Sequence, residues 1–373
     1  MNRRAGVGSR MGVVVLAACG AMVAAPTAQQ THRPGRPAYD DGAVEALPVQ
    51  GTVHLVAGSG ANVTVQIDPE GVLLVDTSVP EMSDKVLAAV RSISPLPIRH
   101  IINTSAIEHH MGGNEVLSAA GRNLNAGVGG PTGREPSRLD GAPIIAHEHA
   151  LHRLSGLKQE PPRMPYASWP HDTFYTTKKQ IYFGGEVVEM VNQPAAITDG
   201  DLFVWFRRSD VIAAGDLFST VTFPRVDLAR GGSVQGTLDA LNTILDIAVP
   251  EINNQGGTLV VPGHGRIGNE SDVAEYRDML TIVRDRVRSM IDKGMTLQQV
   301  QAVGPARDYA PLYSAPDWTA EQFVDTVFAD LSRPRARSSA SRRGPGAGLQ
   351  GRRGSRSGVA MALERGGLRA LFD

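Results

Sequence analysis

The chain has 373 residues, 42% of them hydrophobic, and a formal net charge of −1; that is enough apolar material for one large core or two ordinary ones. The balance hides an asymmetry: residues 333–373 carry ten arginines against Glu364 and Asp373, residues 1–28 carry three arginines and no acid, and the body between has 24 basic and 36 acidic residues, a charge of −12. Such a body argues against a nucleic-acid-binding core, which needs clustered cations, and with Cys19 the single cysteine it can hold neither a disulfide nor a thiolate.

Residues 1–28 read as a signal peptide: Arg3, Arg4 and Arg10 precede an apolar run from Met11, and Pro26-Thr27-Ala28 offers a small-residue cleavage site. Export to the periplasm or the exterior follows. Leu16-Ala17-Ala18-Cys19 also resembles the bacterial lipoprotein box, so anchoring through a lipidated Cys19 is the alternative. Residues 29–47, rich in proline, glycine and polar side chains, read as a poorly ordered linker.

The body, residues 48–332, opens with strands predicted over 53–56, 63–67 and 72–75, separated by Gly-Ser-Gly and Asp-Pro-Glu-Gly turns. An amphipathic helix is expected over 82–93, a buried strand over 97–102, and a second helix from Asn114. The glycine-rich stretch 121–141 reads as an irregular excursion. A short strand at 144–146 then leads into His147, His149 and His152, which the spacing puts at the start and on one face of a helix; we read this as a solvated helix N-terminus rather than a metal site. The proline-rich loop 158–170 reads as a flap.

A second group of strands is predicted at 181–183, 187–191, 202–206, 211–213 and 258–261, with helices over 233–249, 272–293, 296–303 and 319–331. Two half-sheets, each followed by helices, imply an α/β sandwich of two mixed sheets with helices on both outer faces. Residues 333–373 collapse into arginine, glycine and serine and read as a disordered tail. It could make weak contact with acidic surfaces such as lipid, polysaccharide or nucleic acid.

The centre of the pattern is the stretch Asn-Thr-Ser-Ala-Ile-Glu-His-His-Met-Gly-Gly-Asn, residues 103–114. Imidazoles on a loop between rigid elements suit metal binding. The stretch resembles the Asn-Thr-His-x-His-x-Asp-His-x-Gly-Gly-Asn motif of the metallo-β-lactamase superfamily, whose αββα sandwich matches the predicted element order. The frame is kept at Asn103, Thr104, His110, Gly112, Gly113 and Asn114, but the family's first two histidines fall on Ser105 and Ile107, and its aspartate on His109. Further resemblances follow in order. Asp76 matches the aspartate of the first family motif, residues 196–201 the His-Thr-x-Gly-Asp turn with its histidine replaced by Ile197, Asp216 the aspartate that bridges two metals, and Pro262-Gly263-His264-Gly265 the last ligand motif.

The resemblance implies one metal position instead of two. Ser105, Ile107 and Ile197 remove the donors of the first, while His109, His110, Asp216 and His264 remain for a single zinc at the second, with Asp76 and Asp199 supporting from behind. One ion could still activate a water, with His109 or Glu108 as proton acceptor. The expected function is therefore an exported single-zinc hydrolase acting on a small amide, ester or lactone. The alternative is a catalytically inactive binding protein that kept the fold. No feature of the sequence speaks to oligomeric state.

Overall fold

The computed structural model describes residues 44–124, 138–156, 164–252 and 256–333. The segment read as a signal peptide, with Cys19, most of the segment read as a linker, much of the glycine-rich stretch and almost all of the arginine-rich stretch lie outside the described residues.

Two mixed sheets face each other. The first holds seven strands in chain order: β1 Glu45–Gln50, β2 Val53–Ala57, β3 Val63–Asp68, β4 Gly71–Val75, β5 Ile98–Ile102, β6 Ile144–His147 and β7 Asp172–Phe174. β1 to β4 form an antiparallel meander, and β4 to β7 run parallel. The parallel strands are joined by α1 (Ser83–Ile93), by the short α2 (Glu108–Met111) and α3 (Asn114–Ala119), and by α4 (Glu148–Leu154). The second sheet repeats the plan. β8 (Lys178–Phe183), β9 (Glu186–Gln193), β10 (Asp201–Phe206) and β11 (Val211–Ser219) meander, and α5 (Val234–Leu245) crosses to the parallel β12 (Leu259–His264), which pairs with the two-residue β13 (Gly268–Asn269). Then follow α6 (Glu270–Asp292), α7 (Leu297–Val303), α8 (Ala310–Tyr313) and α9 (Ala320–Ser332).

The two-residue alternation of the strands sorts their side chains into three apolar layers. Leu73, Val75 and Ile102 meet Val188, Leu202, Val204 and Phe206 between the sheets. Val72, Leu74 and Ile101 face outward under Val86 and Val90 of α1 and Leu117 of α3. On the other side Val191, Phe203 and Ile212 lie under Leu238 and Leu241 of α5, Tyr276 and Leu280 of α6, and Phe323 of α9. The result is the expected αββα sandwich. One polar link also crosses between the sheets: buried Glu186 on β9 accepts from Gln66 Nε2 on β3 at 2.8 Å and from Ser209 Oγ and the Arg208 and Ser209 N–H groups.

Local chemistry explains the helix limits. Asn269 and Asp272 form a reciprocal capping box for α6, Thr296 and Gln299 form another for α7, and Ser233 caps α5. The first strand begins at Glu45, inside the segment expected to be linker. Pro48 is tolerated there because β1 pairs on one side only, so its missing N–H breaks no ladder. Among the described residues, no helix is long and apolar enough to cross a membrane.

Candidate metal centre

The metal-loop residues gather at the carboxyl ends of parallel strands, where the chain leaves each sheet. Asp76 follows β4, the 103–111 loop follows β5, Asp216 lies in β11 past an irregular register at Gly215, and His264 ends β12. His109, His110, Asp216 and His264 each point a donor atom to one spot, all within 4.8 Å of one another. His110 Nε2 lies 2.9 Å from Asp216 Oδ1, His264 Nε2 3.3 Å from the same oxygen, and His109 Nε2 donates to Asp216 Oδ2 at 3.0 Å.

Two of the four donors, His110 and His264, are set by partners behind them. The Asp76 carboxylate accepts the Thr104 N–H and hydroxyl, both at 2.7 Å, and His110 Nδ1 at 2.8 Å. Asp76 itself has φ 65°, a strained value for a non-glycine residue. His264 Nδ1 donates to the Gly60 carbonyl at 3.0 Å, and Asn62 Nδ2 donates to the carbonyls of Pro262 and Gly265, fixing the turn that presents the imidazole. Asn103, Asn114 and Thr77 lock the metal loop: Asn114 Nδ2 donates to Asn103 Oδ1 and the Ser168 carbonyl, and Thr77 Oγ1 donates to Asn114 Oδ1. The motif frame is thus a hydrogen-bonded scaffold, and it persists although half of its metal ligands are gone.

Gly215 makes the approach of Asp216 possible. Its φ is +53°, and a Cβ there would lie 2.5 Å from Thr104 Oγ1. Only glycine suits both the backbone and the space.

The electrostatics couple two carboxylates to the imidazoles of the cluster. Burial opposes charge on Asp216, yet His110 and His109 hold its carboxyl well below the usual range. Burial likewise opposes charge on His110, but the Asp216 and Asp76 carboxylates outweigh it and raise the imidazole well above an ordinary histidine. Burial lowers His109, only partly restored by Asp216. A proton on His110 or a divalent ion can balance the two carboxylates. The geometry fits the ion: buried His110 Nε2 approaches Asp216 Oδ1 to 2.9 Å on the side where donors of His109 and His264 converge. With Nδ1 of His110 and of His264 committed to oxygen acceptors, both Nε2 lone pairs face inward, and a nitrogen-rich set with one carboxylate suits zinc.

The first metal position is filled differently. Ser105 is buried, its Oγ accepting the Ile107 N–H, while Ile197 is fully buried in the apolar layer under α5 and Ile107 packs against that layer. Three other residues stand apart from their expected places. Asp199 does not touch the cluster; it pairs with Arg153 Nε at 2.8 Å, and its carbonyl takes His149 Nδ1. The aspartate behind the site is Asp201, fully buried and held by Thr198, pushed up to about 7 by burial and the Asp216 charge. Asp201 occupies the last position of the His-Thr-x-Gly-Asp turn, so its signal was present in the motif. His147 is buried rather than solvated, capping α4 with its ring against Phe174. Among the described residues the His147, His149 and His152 group does not form a metal cluster. Glu108 is exposed.

Beside His109 opens a cleft of about 210 Å³ lined by Ala106, Ile107, Glu108, Arg153, Leu154, Met164 and Arg230. Neither arginine carries a sequence signal, because both lie outside the motifs.

The chain belongs to the metallo-beta-lactamase superfamily, whose profile matches residues 56–264. Among solved structures it resembles the stereoselective inverting sec-alkylsulfatase Pisa1 from Pseudomonas sp., with a TM-score of 0.55 and 16% identity over 76% of this chain and 50% of that one. A metallo-beta-lactamase from Pontibacter korlensis gives a TM-score of 0.47 and 16% identity over 64% of this chain and 99% of that one. The chain therefore spans about half the length of the alkylsulfatase, and likeness at such identities shows the fold alone. Comparison with curated proteins gave no match.

Proposed function

We propose that the protein is an exported hydrolase that uses one zinc ion on a small amide, ester or lactone. The observation that carries this reading is the convergence of the His109, His110, Asp216 and His264 donors on one spot. Support for export is the arginine-led apolar segment in residues 1–28, with attachment through Cys19 as the alternative route.

A zinc ion held by these residues would lower the pKa of a bound water to ~7 and polarise a carbonyl. His110 and His264 present fixed lone pairs, each oriented through its other ring nitrogen by Asp76 and by the Gly60 carbonyl. Asp216 contributes the anionic ligand. A catalytic zinc needs an exchangeable position, and His109 is the donor best placed to leave one: its side chain is the most exposed of the four, at 19%. Were a water to take that position, His109 would stand beside it as a candidate proton acceptor. Glu108 borders the same cleft as a second acceptor.

The replacement of first-position donors by Ser105, Ile107 and Ile197 favours a competing reading, a binding protein without turnover. Metal analysis of the purified protein beside a His264→Ala variant separates the two. One zinc per chain, lost together with hydrolysis in the variant, supports the hydrolase; no metal in either protein overturns it.

A further inference from the structure

Asp76, Thr77 and Ser78 leave β4 with left-handed backbone at both ends, φ 65° at Asp76 and 62° at Ser78. Two such values on non-glycine residues within one tripeptide store strain that the surroundings must hold in place, and strain of this kind clusters where geometry serves function. The tripeptide makes contacts in two directions. Towards the metal loop, Asp76 Oδ2 takes His110 Nδ1, the Thr77 N–H donates to the His110 carbonyl at 2.8 Å, and the Ser78 carbonyl accepts the Gly113 N–H at 3.2 Å. Away from it, the buried Ser78 hydroxyl donates to the carbonyl of buried Ser59, in the turn between β2 and β3.

That turn reaches His264. Gly60 has φ 102°, backbone that a side chain would strain, and its carbonyl takes His264 Nδ1 at 3.0 Å. Asn62 clamps the same neighbour: its N–H donates to the Gly263 carbonyl, and its Nδ2 to the Pro262 and Gly265 carbonyls, each at 2.9 Å. The other ring nitrogen of His264, Nε2, lies 3.3 Å from Asp216 Oδ1. A neutral imidazole has one N–H to give, so the two acceptors compete for it. The Gly60 carbonyl draws the proton to Nδ1 and leaves Nε2 bare; Asp216 draws it to Nε2 and closes that lone pair to a metal.

We propose that Ser78 is a positioning residue for the metal centre: by holding the Ser59 carbonyl it aims the next carbonyl, that of Gly60, at His264 Nδ1. One tripeptide after β4 then sets His110 on one side and His264 on the other, although the two imidazoles come from different sheets. Ser78 touches neither imidazole, and its effect on His264 runs through the turn. The strained backbone is what lets a single residue offer its carbonyl to Gly113 and its hydroxyl to Ser59.

The proposal rests on the reading of the four donors as a metal site, so its first test is made without metal. Ser78→Gly removes the hydroxyl and suits the left-handed backbone, and its circular dichroism spectrum should match the parent's. In metal-stripped full-length protein at about pH 8.5, above the ordinary histidine range, side-chain nitrogen NMR should show His264 as the Nδ1–H tautomer in the parent and as a mixture with the Nε2–H tautomer in the variant. Competition for cobalt against a chelator should then give about tenfold weaker binding in Ser78→Gly, the lower end of the usual loss for such support. Made in a His264→Ala background, the same substitution should change cobalt affinity by less than about twofold, because effects that run through one residue do not add. Ser78→Ala, a second route to the same loss of the hydroxyl, should move both readings in the same direction. An unchanged tautomer in both variants, or an equal loss of cobalt affinity with and without His264, overturns the positioning role. A parent that holds no cobalt overturns the metal reading instead, and the tautomer result still decides whether Ser78 sets His264.

Discussion

Asp76 Oδ2 lies 2.8 Å from His110 Nδ1, and the same carboxylate is held by two donors from Thr104. A carboxylate in this position selects the tautomer that leaves Nε2 bare for a metal. Asp76→Asn should lower zinc affinity by about 10–100-fold, the usual cost of losing such support. Competition against a chromophoric chelator measures this, and unchanged affinity would show that His110 needs no help from Asp76.

Gly215 and Thr104 are in close contact. A Cβ at 215 would press on the hydroxyl that holds Asp76, in a backbone region that disfavours side chains. Gly215→Ala should cost on the order of 1–3 kcal/mol of stability and weaken metal binding too, since both Asp216 and Asp76 are displaced. Urea titration of the metal-stripped variant reads the first effect. A urea midpoint indistinguishable from the parent's would mean that the loop yields without strain.

Asp201 gives a pH dependence. Its folded-state pKa of about 7 lies above its ordinary value of 3.8 because it is buried, with the Asp216 charge adding to the effect. The folded state then holds a proton that the unfolded state has released, so this group's contribution to stability is full below about pH 4 and is lost as pH rises to about 7. The swing is on the order of 4 kcal/mol for a group this deeply buried. Denaturant unfolding of metal-stripped protein between pH 5 and 7.5 should show part of that decline, flattened in Asp201→Asn. An equal slope in parent and variant would assign the decline to another group.

The missing first position can be restored on paper with three substitutions. Ser105→His, Ile107→His and Ile197→His together should raise zinc from one to two ions per chain, measured by elemental analysis. Thermal stability should fall, because Ile197 is fully buried in the layer under α5 and a polar ring there costs about 1–3 kcal/mol. A triple variant that still holds one ion would indicate that the backbone itself has moved away from two-metal geometry.

The long helices were legible from their apolar stripes and caps: α5 and α6 begin within two residues of their expected starts, since Ser233 and Asn269 mark them locally. β1 was not, because an edge strand holding Pro48 has the composition of a linker. The convergence of His109, His110, Asp216 and His264 was readable from motif order, since each motif keeps its own glycines and asparagines. The supports were less readable: Gly60 sits 204 residues from the imidazole it holds, and nothing local to a Gly-Ser-Gly turn announces such a contact. Asp199 and Asp201 are both acidic within one turn, and only burial separates them. The arginines of the cleft come together through tertiary packing alone.

His109 and His110 descend from the first sheet, Asp216 and His264 from the second. An ion in that spot therefore rivets one half of the sandwich to the other, and its affinity enters the folding equilibrium directly. A chelator would do more than silence the chemistry: it would open the seam at that end to proteases, so that digestion patterns become a readout of metal status.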